Sequence, residues 1–513
     1  MRPYDLNRKI WDITIALIIL SAIAASIFAA CDVFPDKLID SKYYTTYGLI
    51  CLLSIILVPR LYIKHQIPHN LFTQTFIWGT SAICTAQATF FICQKIGLAP
   101  LYCQFGAGSF ENVAGFASCL AFSLPLGMSL RRKGLHNFLS HILLLSKIIC
   151  IIAILWSESR TGMLCILAWL IMEFAPKDKQ KWLTLAFPVL MLGTLLYKSD
   201  STKGRWLILQ RTIKMICECP FFGYGKDGFT AHYMDFQADY FADNPTDKYS
   251  MLADNIRHPL NEWMAATIDF GLIGLLGISL FFYITYCYAK KNKSQESILG
   301  SKILCTMGIF SFFSYPFQYP FSWLMLAFSL WSIYQPFLLK HIRMVAMLGL
   351  CCTIPWTYHL SMECKDNMAL KKMQEKSKLG LSDRNLQAYQ EMYPRMKNDK
   401  RFLFYYASDL YLAEHFTQAL KIAKECKLHL TDYELSLMIG DIYRELGEKD
   451  STIYYYHRAH NMCPSHFTPL YEMLHTYQEF GDSTSSQKIK ILIQNKPIKV
   501  WSKETENIIK EAK

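Results

Sequence analysis

The 513-residue chain is poor in charged residues and lacks several patterns that would mark other classes of protein. Charged residues make up 18% of it, whereas about 25% is usual in soluble proteins. None of its 17 cysteines belongs to a Cys-x-x-Cys pair, which excludes a zinc knuckle and a thioredoxin motif. The first apolar segment, residues 11–30, is not followed by a small-x-small cleavage site. We therefore expect a transmembrane helix there rather than a cleaved signal peptide.

Long apolar segments fill the chain as far as Leu360, and none of spanning length follows Glu363. Because a helix needs about 20 apolar residues to cross a membrane, we predict an all-α, polytopic membrane protein with about eleven spans. The candidate spans are residues 11–30, 43–63, 71–93, 112–130, 138–156, 161–175, 182–197, 263–288, 299–315, 320–338 and 342–360. The predicted domains are a membrane domain, residues 1–362, and a soluble domain, residues 363–513.

The net charge of +12 does not indicate a nucleic-acid-binding protein, because lysine and arginine lie in short clusters between the apolar segments. If the N-terminus is cytoplasmic, every cluster between spans falls on the cytoplasmic side, as the positive-inside rule requires. Examples are residues 131–133 and residues 290–293. An odd number of spans then places the C-terminal domain outside. We expect a multi-pass protein of the bacterial inner (plasma) membrane whose large loop and C-terminal domain are periplasmic.

Two features lie on the predicted outer side. Ser157-Glu158-Ser159-Arg160 ends the fifth span, and residues 198–262 form the only large insertion between spans. A loop of that size inside a helical bundle is usually functional. Within it, Gly223, Gly225 and Gly228 have neither a preceding strand nor the Walker spacing. We interpret them as a tight turn that closes a helical hairpin rather than as a phosphate loop.

Arg160, Arg205, Arg257 and His258 can all lie near the outer membrane surface. Such a cluster suits an anionic lipid phosphate or pyrophosphate, because guanidinium groups bind phosphate oxygens in pairs and histidine exchanges protons near neutral pH. Each residue has a structural alternative. Arg160 could extend to lipid headgroups, Arg205 could be an ordinary loop cation, and His258 could cap the next helix. Against the first alternative, a charged step between two adjacent spans usually faces a cavity or a partner.

Several segments follow one another in a fixed order along the chain. They are residues 108–116 (Gly-Ser-Phe-Glu-Asn-Val-Ala-Gly-Phe), Ser157 to Arg160 with Leu164, Gly204-Arg205, residues 220–229 (Pro-Phe-Phe-Gly-Tyr-Gly-Lys-Asp-Gly-Phe), and Asn261-Glu262 with residues 271–275 (Gly-Leu-Ile-Gly-Leu). Their joint order resembles the motifs of the O-antigen ligase and polymerase superfamily of bacterial membrane glycosyltransferases.

The resemblance implies a glycosyltransferase, in the first place an O-antigen ligase, that takes a glycan from undecaprenyl pyrophosphate and needs no cofactor and no metal. The implied acceptor is lipid A–core for a ligase, a second lipid-linked repeat for a polymerase, or a protein side chain for an O-oligosaccharyltransferase. As catalytic residues, Arg160 and Arg205 would stabilise the leaving pyrophosphate, and His258 would orient or deprotonate the acceptor hydroxyl. The predicted substrate-binding residues are Arg257, Asn261, Glu262 and Arg211.

One position departs from the family pattern. The family has a histidine directly before the asparagine, whereas this chain has Leu260 there, and His258 lies three residues before Asn261. Either His258 substitutes from a shifted turn, or Asn261 or Glu262 takes the role.

The C-terminal region repeats with a period near 34 residues. Ala407, Gly440 and Leu474 recur at that spacing, and Tyr443-Arg444-Glu445-Leu446-Gly447 is followed 34 residues later by Tyr477-Gln478-Glu479-Phe480-Gly481. This period predicts tetratricopeptide-like helix pairs that stack into a concave surface. We expect this domain to bind a partner protein or to help present an acceptor.

A transporter is the alternative outside the enzymes, because the chain has many spans and charged residues at helix ends. Transporters carry internal repeats or ionisable groups near mid-span. The spans are nearly free of charge, and Glu173 and Asp269 lie close to span ends, which favours the glycosyltransferase. The expected partners are thus the lipid-linked donor, the acceptor and membrane lipids, with no nucleic acid.

Overall fold

The computed structural model describes residues 3–64, 69–102, 106–126, 137–176 and 199–512. Within these ranges every regular element is a helix, which confirms the predicted all-α fold. The α-helices are α1 (Pro3–Phe28), α2 (Ile39–Lys64), α3 (His69–Lys95), α4 (Val113–Ser123), α5 (Asn137–Trp156), α6 (Arg160–Phe174), α7 (Ser199–Glu218), α8 (Gly228–Asp243), α9 (Glu262–Lys291), α10 (Gln295–Phe313), α11 (Pro320–Lys340), α12 (Ile342–Lys378), α13 (Leu386–Met396), α14 (Lys400–Leu412), α15 (Phe416–Lys427), α16 (Tyr433–Glu445), α17 (Lys449–Met462), α18 (Thr468–Glu479), α19 (Ser483–Asn495) and α20 (Lys503–Glu511).

Six of the described helices contain a segment that is long and apolar enough to cross a membrane. The segments are Trp11–Phe28, Ile39–Val58, Leu71–Lys95, Glu262–Lys291, Gln295–Phe313 and Pro320–Lys340. Two further apolar helical segments, Val113–Ser123 and His141–Trp156, are shorter. The protein is therefore a multi-pass membrane protein. The count of about eleven spans stays a prediction, and the predicted span 182–197 lies outside the described residues.

The chain forms two compact units, and two of their boundaries, 277/278 and 371/372, fall inside α9 and α12. One unit is Met1–Thr194 with Ile278–Lys371, and the other is Leu195–Gly277 with Lys372–Lys513. The second unit therefore combines the residues of the predicted loop with the C-terminal region. The predicted domain boundary at 362/363 stays a prediction.

In the first unit, the short helix α4 is surrounded by α3, α5, α6, α10 and α11. All its residues from Gly115 to Ser123 are buried, as expected for a helix that is apolar or small-sided on every face. The side chain of Asn112 caps it by accepting a hydrogen bond from the Gly115 N–H at 2.9 Å. A Cβ at Gly115 would lie 2.5 Å from the ring of Tyr319, so glycine allows this helix to begin directly against that ring.

In the second unit, the hairpin of α7 and α8 shares one apolar core with α17. Met215, Tyr233 and Met234 from the hairpin are buried in the same cluster as Ala459 and Met462. A buried polar contact and an ion pair flank this core. The Gln237 Nε2 donates to the Met462 carbonyl at 2.6 Å, and the Arg458 guanidinium lies 2.8 Å from the Asp235 carboxylate and also pairs with Asp239. The predicted loop is thus folded into the C-terminal region.

Helix ends in the C-terminal region repeat regularly. Gly380, Glu414, Gly447 and Gly481 all have a left-handed backbone, with φ of 74°, 60°, 77° and 69°, and they are spaced 34, 33 and 34 residues apart. After each of them, the next N–H bonds back to the carbonyl five residues earlier, as in a Schellman cap. These bonds are Leu381 to Lys376 at 3.1 Å, His415 to Leu410 at 2.9 Å, Glu448 to Tyr443 at 3.0 Å and Asp482 to Tyr477 at 2.8 Å. Successive helix pairs of this region therefore end at nearly equal intervals, 33 or 34 residues apart.

Candidate functional site

The glycine-rich stretch, residues 220–228, joins α7 to α8 and lies along the backbone of α9. Four backbone hydrogen bonds connect it to residues 268–273 of that helix. Two amides of the stretch donate to α9, and two amides of α9 donate to the stretch. The bonds are Tyr224 N–H to Ile268 at 2.7 Å, Gly225 N–H to Asp269 at 2.9 Å, Leu272 N–H to Pro220 at 2.8 Å and Ile273 N–H to Phe221 at 3.3 Å. We call this contact the backbone clasp.

The backbone clasp depends on a kink in α9 at Gly271. This residue has φ 66° and ψ −172°, a conformation that only glycine adopts readily, and it breaks the helical hydrogen-bond ladder. A Cβ there would lie 2.1 Å from the Phe221 carbonyl oxygen. In the glycine-rich stretch itself, a Cβ at Gly223 would lie 2.3 Å from the Ile268 carbonyl oxygen. Both glycines therefore permit two backbones to approach closely.

The backbone clasp also explains why the stretch is not a phosphate loop. The amides of Tyr224 and Gly225 are bonded to carbonyls of α9, and the amide of Gly228 donates to the Asp269 carboxylate at 3.0 Å. The carboxylate occupies the N-terminus of α8, the position that a phosphate would take in such a loop. The structure thus places a turn between two helices here, as the sequence indicated.

The turn before α9 holds the position at which the resembled family has histidine. Leu260 has a left-handed backbone, φ 57°, which is uncommon for a residue with a branched side chain. The following residue, Asn261, caps α9 by accepting the Met264 N–H on its Oδ1 at 3.0 Å. Glu262 is the first residue of α9, where a carboxylate is favoured by the helix dipole. Asn261 and Glu262 therefore have structural roles at this helix start.

A cavity of about 260 Å³ lies beside this turn. It is lined by Gly204, Arg205, Leu207, Ile208, Gln237, Leu252, Ala253, Asp254, Ile256 and Leu260. The side chain of Gln237 is fully buried and holds the wall together, because its Nε2 donates to the carbonyls of Asp254 at 3.0 Å and Met462 at 2.6 Å. Arg205 and Asp254 contribute the charged groups of the lining. Leu260 and Arg205 thus border the same space.

Arg257 is oriented by a buried carboxylate of the C-terminal region. Its Nη2 lies 3.2 Å from the Asp432 Oδ2, and the Asp432 side chain is only 2% exposed whereas that of Arg257 is 61% exposed. Asp432 also accepts a hydrogen bond from the Asn255 side chain at 3.0 Å and caps α16 through the Glu434 N–H at 2.8 Å. The guanidinium is therefore anchored on one side and exposed on the other.

His258 lies in a positively charged environment. Burial lowers its pKa to about 4, Lys400 and Arg257 contribute to the lowering, and the Asp227 carboxylate opposes it only in part. At neutral pH the imidazole is thus uncharged. It can accept a proton, although with less driving force than a histidine of ordinary pKa. His258 does not line the cavity that contains Arg205 and Leu260.

Arg211 is packed on an aromatic ring in the hairpin of α7 and α8. Its guanidinium carbon lies 4.2 Å from the centre of the Tyr240 ring. Its Nε is buried and has no hydrogen-bond partner among the described residues. The cation–π contact accounts for its position, and Arg211 is not among the residues that line the cavity.

Arg160 belongs to the other unit, where it is the first residue of α6. Ser159 caps this helix by accepting the Gly162 N–H at 3.1 Å, and the preceding Glu158 has a left-handed backbone with φ 54°. A cation at a helix N-terminus opposes the helix dipole, so the position of Arg160 is not explained by helix stability. A guanidinium at this position could bind an anion.

Residues 145–279 match the family model described as O-Antigen ligase. The chain carries an O-antigen ligase domain. This confirms the superfamily that the motifs resembled, and the family implies an enzyme of the glycosyltransferase kind with a lipid-linked glycan donor and a glycan acceptor. No curated protein matches the chain.

Among the described residues of the O-antigen ligase domain, three residues other than glycine have a left-handed backbone, and each lies in or directly before one of the motifs noted in the sequence. They are Glu158, Asp227 and Leu260, with φ of 54°, 63° and 57°. Such conformations cost of order 1–3 kcal/mol and concentrate at functional sites, where surrounding contacts enforce them. In this domain the strained positions thus mark the step before α6, the start of α8 and the start of α9.

Two lysines lie within the apolar helices of the first unit. Lys147 lies within α5, is 2% exposed, and donates to the Ser123 carbonyl at 2.8 Å and the Ser81 hydroxyl at 3.3 Å. Lys302 of α10 pairs with Glu173 of α6. Lys147 is therefore an exception to the expectation that the spans are nearly free of charge. The lysines themselves were the available signal, because an ionisable residue in an apolar segment requires an internal partner.

Proposed function

We propose that the protein is an O-antigen ligase-type glycosyltransferase that moves a glycan from undecaprenyl pyrophosphate to lipid A–core at the periplasmic face of the inner membrane. The observation that carries this proposal is the cavity with Arg205 and Leu260, whose lining residues all lie within the O-antigen ligase domain. Its volume of about 260 Å³ is close to the lower end of ligand pockets, about 300–1,000 Å³. It would suit one sugar or one diphosphate rather than a whole glycan.

In the proposed reaction the acceptor hydroxyl attacks the anomeric carbon of the glycan. The bond from that carbon to the pyrophosphate oxygen breaks, the lipid pyrophosphate leaves with the bonding electron pair, and it takes up the proton that the attacking hydroxyl releases. Arg205 would neutralise the charge that develops on the leaving oxygen, because a guanidinium binds two phosphate oxygens at once. Arg160 at the start of α6 is also proposed as a catalytic residue, a cation that binds pyrophosphate oxygens.

We propose that His258 orients the hydroxyl group of the acceptor substrate by accepting a hydrogen bond from it. The lowered pKa of His258 keeps it neutral, so its ring nitrogen is available to the hydroxyl proton at neutral and mildly acidic pH. Arg257, anchored by Asp432 and otherwise exposed, is proposed to contact the substrate from the neighbouring position.

For residues 363–513 we propose tetratricopeptide-like repeats that bind a partner or present the acceptor. The regular spacing of the left-handed caps at residues 380, 414, 447 and 481 supports this proposal. Ala407, Gly440 and Leu474 each precede such a cap by seven residues and are buried, as equivalent positions of a repeat should be.

The test is complementation of a deletion strain with Arg205→Ala, Arg205→Lys and Arg160→Ala. Each alanine variant should reduce glycan transfer by about 10²–10³-fold while membrane insertion is kept, and lysine should restore part of it. Lys203→Ala, an exposed cation two residues away on the same helix, is the matched control and should act as wild type.

The glycan profile of the deletion strain separates the acceptors. Loss of long glycans on lipid A–core with accumulation of lipid-linked chains supports a ligase. Accumulation of single repeat units would instead assign a polymerase, and loss of glycan from proteins would assign an O-oligosaccharyltransferase. An unchanged glycan profile would overturn the proposal.

A further inference from the structure

We propose that Asp254, Cys463 and His466 form a binding site for a divalent transition-metal ion of the zinc class. One carboxylate oxygen, the thiol sulfur and one imidazole nitrogen all lie within 4.8 Å of one another. Asp254 comes from the turn before α9, and Cys463 and His466 follow the end of α17. The metal would therefore join the O-antigen ligase domain to the C-terminal region within one unit.

The distances are close to those of a zinc site. Zinc binds sulfur at about 2.3 Å and nitrogen or oxygen at about 2.0–2.2 Å, so tetrahedral ligand atoms lie roughly 3.3–3.8 Å apart. The His466 Nε2 and the Asp254 Oδ1 are 3.9 Å apart. Side-chain adjustments of about 1 Å would bring the three atoms to bonding distance, leaving a fourth position for water.

The backbone around the three ligands is held in place without a metal. The buried Gln237 side chain donates both to the Asp254 carbonyl at 3.0 Å and to the Met462 carbonyl at 2.6 Å, so a single side chain fixes the residue before Cys463 relative to Asp254. The His466 N–H donates to the Cys463 carbonyl at 3.0 Å. The two halves of the site are thus positioned before binding, which reduces the cost of assembling it.

The ligand set and its charges also favour such a metal. A thiolate, an imidazole and a carboxylate together suit a borderline-soft ion better than calcium or magnesium, which require several oxygen ligands. Thiolate and carboxylate would neutralise the two charges of the ion. Lys499 donates to the Asp254 Oδ2 at 3.3 Å, whereas the Oδ1 is the oxygen nearer His466. The ion pair with Lys499 therefore leaves one carboxylate oxygen directed to the site.

The proposed metal site shares Asp254 with the lining of the cavity, but its detection needs no activity and is therefore a separate test from glycosyl transfer. The full-length protein in detergent, first treated with a chelator, is titrated with Co²⁺ and then with Zn²⁺. We expect one equivalent of Co²⁺ to bind with a sulfur-to-cobalt charge-transfer band, and Zn²⁺ to displace it. Zn²⁺ should also raise the apparent unfolding temperature of the chelator-treated protein.

Three variants locate the metal. Cys463→Ser should remove the charge-transfer band. Asp254→Asn and His466→Gln, at positions that are not fully buried, should weaken Co²⁺ binding by at least the roughly 10–100-fold that loss of an outer-shell partner causes. Cys217→Ser removes an exposed thiol from α7 and should bind as wild type.

The proposal is overturned if no saturable band forms, or if the band persists in Cys463→Ser. If Cys463→Ser does not fold, the other two variants decide. Wild-type affinity in both Asp254→Asn and His466→Gln would then exclude the site.

Discussion

Replacing Gly271 with alanine should open the backbone clasp between the glycine-rich stretch and α9. The added Cβ would lie 2.1 Å from the Phe221 carbonyl oxygen and 2.2 Å from its carbon, both of which are backbone atoms. Neither can move aside as the end of a flexible side chain would. The two chains must therefore separate locally, while the rest of each helix is kept.

The cost can be worked from two contributions. Alanine in a conformation that glycine alone adopts readily costs about 1–3 kcal/mol. The two hydrogen bonds nearest the clash, donated by Leu272 and Ile273, contribute about 0.5–1.5 kcal/mol each. Together the local opening free energy should fall by about 2–6 kcal/mol.

Hydrogen exchange of the full-length protein measures this directly. Peptides covering residues 220–229 should exchange at least about thirtyfold faster in Gly271→Ala, because each 1.4 kcal/mol of opening free energy corresponds to about a factor of ten. Two variants on related sites complete the series. Gly277→Ala adds a Cβ with nothing within 4 Å on the same helix and should exchange as wild type. Gly225→Ala, with φ 86° but open space, should lie between them. Equal exchange in Gly271→Ala and Gly277→Ala would refute the reasoning.

Three other predictions follow from the described contacts. If neutral His258 assists transfer, the initial rate should stay level through mildly acidic pH and fall only near pH 4, because burial and then its positive neighbours lower its pKa. A fall centred at pH 6.5 would contradict this. Glu414→Gly should stabilise the C-terminal region by up to about 1.5 kcal/mol, since it relieves a left-handed strain of about 1–2 kcal/mol at a glycine entropy cost of about 0.5–1 kcal/mol. A lower apparent unfolding temperature of Glu414→Gly would disprove the strain at this position. Gly447→Ala is the control and should lower the unfolding temperature, because it introduces a side chain at a left-handed cap. A reporter fused after Lys513 should give a periplasmic signal, and a cytoplasmic signal would reverse the assigned sides of the membrane.

The sequence was sufficient for the helical fold and the family, because both are encoded in local patterns. Apolar segments of spanning length and the ordered motifs are readable without knowledge of distant contacts. The turn at Gly223 to Gly228 was likewise predicted from glycine spacing. Its partner was not, because Gly271, Gly274 and Gly277 all lie in one predicted span, and residue type alone does not distinguish the kinked glycine from the two helical ones.

Two other features could not be predicted from the sequence either, because residue types and local spacing do not specify them. Glu414 occupies a left-handed cap, whereas the corresponding caps at residues 380, 447 and 481 are glycines, so the residue type at this turn does not reveal its conformation. Asp432 is more than 170 residues from Arg257 in the chain, and their pairing depends on tertiary structure alone. The sequence also indicated which residue types form the candidate site. It did not show that Arg205 lines the cavity whereas His258 lies outside that lining, near Lys400 and Arg257.

The shared core of α7, α8 and α17 has a consequence for biogenesis. Residues 199–277 leave the ribosome well before residues 372–513, yet several of their apolar side chains share a core with the later segment. Until the C-terminal region is complete, Met215, Tyr233 and Met234 lack part of their cover, and the ligase domain would be exposed to aggregation and proteolysis. A chimera that takes its C-terminal region from a related protein should therefore take the α7–α8 hairpin from the same protein.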